Sequence, residues 1–247
     1  MSLELISEYG PSLLFGLMKS LQLVLISVII GGLLALPIAA GKLSSNKVMR
    51  NILDGYTYLF RGTPLLAQIF LLYYGAGKFR HELEGLHVWW IFRDSFTCAV
   101  LAFSINTAAY QAEIWRGAIQ AIPKGQWEAS FALGISSWTH FIRVALPQAT
   151  LIALRPLGNE VVLMLKASSI ASIITVPELL TAAGTAYSRT FDFQIYVYAA
   201  LLYLVLVETV RRLLLICERR LSKHMHFNPI PSEKGESSEQ VNRVTVH

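Results

Sequence analysis

Long apolar stretches with few charges are the feature of this sequence that most limits how it can fold. A helix of about 20 apolar residues crosses a hydrocarbon core about 30 Å thick. Of the 247 residues, 54% are hydrophobic and only 15% are charged, whereas roughly a quarter of a soluble domain is charged. The sequence therefore predicts an all-α protein embedded in a membrane.

Five stretches are long enough to be predicted as transmembrane helices. They are residues 13–41, 58–77, 96–118, 151–172 and 193–217. Pro64 and Pro156 are expected to bend the second and the fourth, which membrane proteins tolerate where neighbours satisfy the freed backbone groups. We therefore divide the chain into an N-terminal segment (1–12), a transmembrane domain (13–223) and a polar tail (224–247) that is predicted to be disordered.

The distribution of charge predicts the orientation of the chain. The segments after the first, third and fifth stretches have an excess of Lys and Arg, and the other two are balanced or slightly acidic. Cytoplasmic loops of membrane proteins are enriched in Lys and Arg, so the N-terminus is expected outside and the C-terminus inside. The net charge of +5 then reflects this asymmetry and not binding to nucleic acid.

The loop at residues 122–147 is too polar to span a membrane and too regular to be a linker. Its apolar residues recur at helical spacing; they are Phe131, Ile135, Trp138, Phe141 and Ile142. Gly134 predicts a turn between two short helices, and Pro147 is expected to start or bend the next one. The pattern alone leaves two interpretations, a helix lying on the bilayer and a helix pair docked in a groove of a partner.

The spacing within this loop resembles the EAA loop of ABC importer permeases. That pattern is E-A-A, three residues, Gly, nine residues and I-x-L-P, and the sequence has it complete, with Ser130 for the second Ala and Val144 for the Ile. The resemblance implies a cytoplasmic loop of coupling helices that docks on the ATPase subunit. The residues that it places in the coupling site are Glu128, Ala129, Ser130, Gly134, Leu146 and Pro147.

Other segments extend the resemblance from about residue 13 to residue 223. Residues 61–68 (RGTPLLAQ) resemble the RGTPxxxQ signature of polar amino acid permeases, and residues 106–110 (NTAAY) and 159–163 (NEVVL) also match that subfamily. Within the subfamily, the chain is most similar to permeases for histidine, arginine, lysine or ornithine and to permeases for opines such as octopine and nopaline.

The resemblance also implies the partners of the chain. Such permeases lie in the bacterial inner membrane as multi-pass proteins, with two ATP-binding subunits below and a periplasmic binding protein above. The second permease chain is expected to be related but different, although an identical chain is an alternative. Residues 75–78 (GAGK) fail the P-loop pattern, because positions 72 and 79 are Leu and Phe. ATP and Mg²⁺ are therefore expected in the partner, and this chain is predicted to be neither an enzyme nor a binder of a cofactor or metal.

Polar residues inside the predicted spans are candidates for the translocation path or for the seam between two permeases. An ionisable group at a helix centre costs roughly 2.5–3.5 kcal/mol on insertion scales. The candidates are Asn106, Asn159, Glu160 and Lys166. Asn159 and Lys166 are seven positions apart and share a helix face, whereas Glu160 lies about 100° away. The alternative is interhelical hydrogen bonding without a transport role.

Two other classes of membrane protein compete with this interpretation. A secondary transporter driven by an ion gradient predicts internal repeats and discontinuous helices, and we detect no repeat. A non-transporting scaffold would leave the polar fourth stretch unexplained. The predicted function is the permease subunit of an ATP-driven importer for a polar, basic amino acid or opine, with the secondary transporter as the alternative.

Overall fold

The computed structural model describes residues 3–222, and every regular element in that range is helical. The α-helices are α1 (Leu3–Lys42), α2 (Lys47–Gly62), α3 (Leu65–Ala76), α4 (Arg80–Gly85), α5 (Trp89–Arg93), α6 (Ser95–Gln120), α7 (Lys124–Ala132), α8 (Ser137–His140), α9 (Leu146–Ala167), α10 (Leu179–Thr190) and α11 (Gln194–Ser222). The prediction of an all-α chain is confirmed. The tail at 224–247, predicted to be disordered, lies outside the described residues.

The close contact between α1 and α6 forms the centre of the fold. Ala35 and Ala39 of α1 are buried, and they continue a stripe of small residues that starts at Gly31. A Cβ atom on Gly31 would overlap the Thr107 methyl group and lie 3.1 Å from the Ser104 carbonyl oxygen. The small residues therefore let the two helix backbones approach closely, as in many membrane helix pairs.

The two largest clusters of buried residues surround this pair. On one side, α3, α6 and α9 bury residues such as Ile69, Phe103 and Leu165 against α1. On the other side, α10 and α11 bury Leu179 and Ile195 against the first half of α1. The middle of α6 is thus enclosed by its neighbours, and four of its polar residues are buried there, namely Ser104, Asn106, Thr107 and Gln111.

The second predicted span is not a single helix. Helix α2 starts at Lys47, within the predicted cationic loop, and ends at Gly62, and α3 starts at Leu65. The break falls at Pro64, which has no N–H to donate to the carbonyl four residues earlier. The prediction of one helix over 58–77 is therefore wrong, and the predicted distortion at Pro64 is confirmed. In contrast, α9 continues through Pro156.

The predicted loop between the fourth and fifth spans contains another helix, α10. Its first turn is capped by the fully buried carboxylate of Glu178, which accepts hydrogen bonds from the N–H groups of Leu180 and Thr181 at 2.9 and 2.7 Å. Tyr203 of α11 donates to the same carboxylate at 2.6 Å, and Ser20 of α1 donates at 3.3 Å. Glu178 therefore joins three helices.

Two stretches of the described chain are long and apolar enough to cross a membrane by length and composition. They are Leu5–Lys42 and Ser137–Ile174. They coincide with the first predicted span and with the region around the fourth. Helices α6 and α11, with 26 and 29 residues, are long enough to cross a membrane but more polar.

The α1–α6 contact generates a prediction about stability. Replacing Gly31→Ala should destabilise the protein by about 1–3 kcal/mol, because the added methyl group meets the backbone of α6 and overpacks the contact. Gly10→Ala in the same helix is the control, since a Cβ there has its nearest neighbour at 3.8 Å. Thermal unfolding of the detergent-purified chain should show a lower midpoint for Gly31→Ala alone; equal midpoints would contradict the close packing.

Candidate functional site

The break between α2 and α3 is stabilised by two buried side-chain amides. The Phe60 carbonyl loses its helical donor because residue 64 is proline. The Gln68 Nε2 group donates to this carbonyl at 3.0 Å, and the Asn106 Nδ2 group donates to it at 3.1 Å. Gln68 Nε2 also donates to the Thr63 carbonyl and hydroxyl oxygens at 3.1 and 2.8 Å. The two amides therefore replace the hydrogen bond to the Phe60 carbonyl that the proline removes.

Asn106 is fully engaged in this arrangement. Its side-chain Nδ2 group also donates a hydrogen bond to the Gln68 Oε1 atom at 2.9 Å, and the residue is only 3% exposed. Since an Asn side chain has two N–H donors, both are used within the protein. In this conformation Asn106 anchors α6 to the α2–α3 break.

A second polar contact lies between α6 and α9. The Thr107 hydroxyl donates to the Glu160 Oε1 atom at 2.9 Å, and Gln111 donates to the Thr107 oxygen at 3.1 Å and to the Val28 carbonyl of α1 at 3.2 Å. Glu160 is 5% exposed. These contacts link α1, α6 and α9 through side chains that face the interior.

Asn159 and Lys166 occupy a different face of α9. Both are exposed, together with Leu163 between them. Asn159 also lines a cavity of about 270 Å³ between α9 and α11, next to Arg155, whose Nη2 atom lies 2.8 Å from Glu218 Oε1. The four candidate residues in the spans are therefore divided into a buried pair, Asn106 and Glu160, and an exposed pair, Asn159 and Lys166.

The predicted coupling loop folds as two short helices. Helix α7 is followed by Gly134, whose φ of 72° is the left-handed conformation that glycine adopts without strain. Helix α8 follows, and a π-helical turn, Phe141–Ala145, connects it to α9, which has Pro147 in its first turn. The predicted turn at Gly134 and the predicted helix start at Pro147 are both confirmed.

Side-chain contacts hold the segment from α7 to the start of α9, the coupling segment, in one shape. A hydrogen bond of 2.5 Å joins Ser130 Oγ and His140 Nδ1, and the Trp127 ring lies 4.2 Å from the His140 ring. The amides of Gln126 and Gln148 bond each other at 2.8 and 3.2 Å. The two helices are therefore fastened both to each other and to α9.

The outer surface of the coupling segment carries several large apolar side chains. Phe131, Leu133 and Trp138 are 57%, 77% and 72% exposed, and Glu128 and Ala129 are also exposed. Ser130 is buried because it faces His140. A rigid surface with several exposed large apolar side chains is typical of a protein–protein contact.

Three residues with clear roles in this geometry were not assigned one from the sequence. Gln68 and Thr107 stand in the two signature segments, but the resemblance implied no role for them. His140 lies in none of the motifs described above. Its partner Ser130 was noted only as the residue that replaces the second Ala of the EAA pattern. No group of three or more His, Cys, Asp or Glu able to hold a metal ion occurs among residues 3–222.

Comparison with known proteins identifies the class to which this fold and this segment belong. The family model for the binding-protein-dependent transport system inner membrane component matches residues 23–223. The chain therefore belongs to this family, whose members are permeases of ABC importers. The predicted family is confirmed, and it does not support the secondary-transporter alternative.

Two relatives of this chain have names that state what they transport. The chain is 40% identical over 226 residues to the nopaline transport system permease protein NocM of Agrobacterium fabrum (strain C58), covering 91% of this chain and 94% of that protein. It is 40% identical over 235 residues to the histidine/lysine/arginine/ornithine transport system permease protein HisM of Salmonella typhimurium (strain LT2), covering 90% and 98% of the two chains.

Solved structures agree with this placement. A chain from the crystal structure of an amino acid ABC transporter with histidines superposes with a TM-score of 0.79 at 37% identity, covering 89% of this chain and all of that one. A chain of the MetNI methionine ABC transporter, in an inward-facing conformation, has a TM-score of 0.72 at 17% identity, covering 90% and 99% of the two chains. The second likeness shows that the fold is shared.

The amide contacts at Pro64 generate a second prediction. Gln68→Leu should lower the stability of the chain by about 1–3 kcal/mol, because the buried Asn106 amide loses its acceptor at Gln68 Oε1 and the Phe60 and Thr63 carbonyls each lose a donor. Gln22→Leu is the control, since Gln22 is exposed and accepts a bond only from the exposed Lys19, at 3.1 Å. Thermal unfolding in detergent should distinguish the two variants. A loss of the same size in both would show that the amide of Gln68 is not needed at the break.

Proposed function

We propose that this chain forms, with a second permease chain, the pathway of an importer for a basic amino acid or an opine in the bacterial inner membrane. Two ATP-binding subunits and a periplasmic binding protein would complete the assembly. Support for the substrate class comes from the two relatives named for nopaline and for histidine, lysine, arginine and ornithine. Nopaline is a derivative of arginine, so both names describe small, polar, nitrogen-rich substrates.

Five passes through the membrane are compatible with the helix lengths. At about 1.5 Å per residue, α1, α6, α9 and α11 each exceed the roughly 30 Å of a hydrocarbon core, and α2 with α3 supplies a fifth, broken pass. Together with the alternation of charge in the sequence, this arrangement favours a periplasmic N-terminus and a cytoplasmic C-terminus. The turn at 43–46 and the coupling segment would then face the cytoplasm, and α4 and α5 would face the periplasm.

Labelling of single cysteines tests this orientation. With Cys98→Ala and Cys217→Ser as background, a membrane-impermeant maleimide should label Gly85→Cys in intact spheroplasts. It should label Ser45→Cys only after the membrane is opened, because position 45 would lie on the cytoplasmic side. Labelling of Ser45→Cys but not Gly85→Cys in intact spheroplasts would reverse the proposed topology.

The coupling segment is the observation that carries the functional proposal. Its two helices are fastened by the Ser130–His140 and Gln126–Gln148 contacts, and they present Phe131, Leu133 and Trp138 outward. A rigid apolar surface of this kind fits a groove on another protein. Since α6 leads directly into α7 and α9 follows α8, movement of the docked segment would be transmitted to both helices.

Replacement of Gly134 tests the docking. Gly134→Ala puts a side chain on a left-handed residue at a cost of roughly 1–2 kcal/mol. We therefore expect roughly a tenfold weaker association with the ATPase subunit. The control is Gly125→Ala in α7, where a Cβ meets nothing within 4 Å and the change favours the helix.

Affinity purification in mild detergent with mass spectrometry of the bound proteins provides the measurement. A partner carrying a P-loop should be recovered with the unmodified chain and with Gly125→Ala, and lost or depleted with Gly134→Ala. A second, related permease chain in the eluate would identify a heterodimer. Recovery of no ATPase under conditions that preserve other importers would refute the functional proposal.

The exposed face of α9 is our candidate for the path or the permease seam. Lys166 is able to bind a substrate carboxylate or to pair with a carboxylate of the second permease, and Asn159 lies two turns away on the same face. Asn106 and Glu160 would reach the path only if their contacts with Gln68 and Thr107 opened. We infer that these two residues serve the path indirectly, by positioning α6.

Removal of the Lys166 charge tests this assignment. Lys166→Met keeps the length of the side chain and removes its charge. Uptake of radiolabelled arginine or nopaline should fall roughly tenfold, because the loss of one charge-assisted contact costs about 1.5 kcal/mol. Lys78→Met, at an exposed lysine outside the long helices, is the control. If uptake and assembly of the importer are both unaffected by Lys166→Met, the residue lies neither on the path nor at the seam.

A further inference from the structure

A polar cavity of about 520 Å³ lies between the end of α1, helix α2 and the last turns of α6. Six charged side chains line it, namely Lys42, Arg50, Asp54, Arg61, Glu113 and Arg116. Four are cationic and two are acidic, so the cavity wall has a net charge of +2. None of these residues belongs to the exposed face of α9 or to the coupling segment.

Two of the cations are neutralised by the two carboxylates. The Lys42 ammonium group is buried, contacts the Glu113 carboxylate directly and lies 2.8 Å from Asp54 Oδ1. On the other side, Arg116 Nη2 lies 2.7 Å from Glu113 Oε2. Lys42 also donates a hydrogen bond to the Thr57 hydroxyl at 2.5 Å. These contacts join α1, α2 and α6 and use both acidic groups of the cavity.

Two arginines of α2 remain in excess. The nearest Glu113 oxygen to the Arg61 guanidinium is 4.0 Å away, and the guanidinium carbon lies 5.3 Å from the centre of the Tyr110 ring. Arg50 has no ion pair with any residue that the structure describes. The two arginines are eleven positions apart, about three helical turns, so they lie on one face of α2 and both line the cavity.

We propose that this cavity binds a phosphate-bearing anion. A guanidinium group matches phosphate oxygens with two parallel hydrogen bonds, and Tyr58 and Gln120 at the cavity wall offer further donors. The volume lies within the range of roughly 300–1,000 Å³ found for small-molecule sites. The bound phosphate would offset the excess positive charge of the cavity wall.

Two sources can supply such a group. In the proposed orientation the cavity lies toward the cytoplasmic side, where an anionic phospholipid of the inner leaflet would present its headgroup. Inorganic phosphate from the cytoplasm is the other source. This part of the inference rests on the proposed function, which places Lys42 and the end of α6 on that side.

Native mass spectrometry of the whole importer, purified in mild detergent and supplied with phosphatidylglycerol, tests the lipid source. We compare the unmodified chain with Arg50→Gln and with Lys47→Gln. Lys47 is an exposed cation of the same helix that does not line the cavity. Arg50→Gln should lower the retained lipid about tenfold, because one charge-assisted contact to the phosphate is lost, and Lys47→Gln should leave it unchanged.

Titration of the same three preparations with inorganic phosphate, followed by ³¹P NMR, tests the soluble source. Phosphate binding that depends on Arg50 but not on Lys47, without lipid retention, assigns the site to the free anion. If the two variants behave alike toward both probes, the positive charge is diffuse and the proposal is wrong. ATPase activity in each preparation shows separately whether the importer is assembled, so failure of the functional proposal would be recognised by its loss in the unmodified chain.

Discussion

Inside a bilayer there is no water to bond an unpaired backbone or carboxylate group, and this constraint accounts for the buried polar contacts at the α2–α3 break and at Glu178. The proline that breaks α2 from α3 frees the Phe60 carbonyl, and the amides of Gln68 and Asn106 bond it from two different helices. At Glu178 the buried group is an acceptor from a side chain. Its carboxylate accepts hydrogen bonds from the first N–H groups of α10 and from hydroxyl groups of α1 and α11. Each polar group thus fixes the position of a neighbouring helix.

The centre of the fold, the Lys42–Glu113 contact and the coupling segment are connected through α6. Its middle is held to α1 by small residues and to α9 through Thr107 and Glu160. Its last turns carry Glu113, which is bound by Lys42 of α1 and by Arg116. The helix then continues into the coupling segment within a few residues. A push on that segment would therefore reach the centre of the fold through one continuous, well-anchored helix.

Features set by neighbouring residues in the chain were predictable from the sequence, whereas contacts between residues far apart in the chain were not. The turn at Gly134 and the helix start at Pro147 follow from local chemistry, and the structure has both. The sequence predicts a cationic loop where the first half of α2 lies, because Lys47, Arg50 and Asp54 interrupt its apolar residues. In the structure this part is helical, and Arg50 and Asp54 line the polar cavity together with Lys42. No local pattern marks Glu178 as a buried cap, since its partner Ser20 is 158 positions away.

The hydrogen bonds around Pro64 also restrict how this chain can have diverged. A lineage that replaced the proline would regain a backbone donor for the Phe60 carbonyl, which would then be shared by three donors with the amides of Gln68 and Asn106. A lineage that lost one amide would keep the other as a donor to this carbonyl, but it would lose the bond between Gln68 and Asn106 that joins α3 to α6. The three positions are thus coupled, and a substitution at one of them changes the hydrogen bonding of the other two.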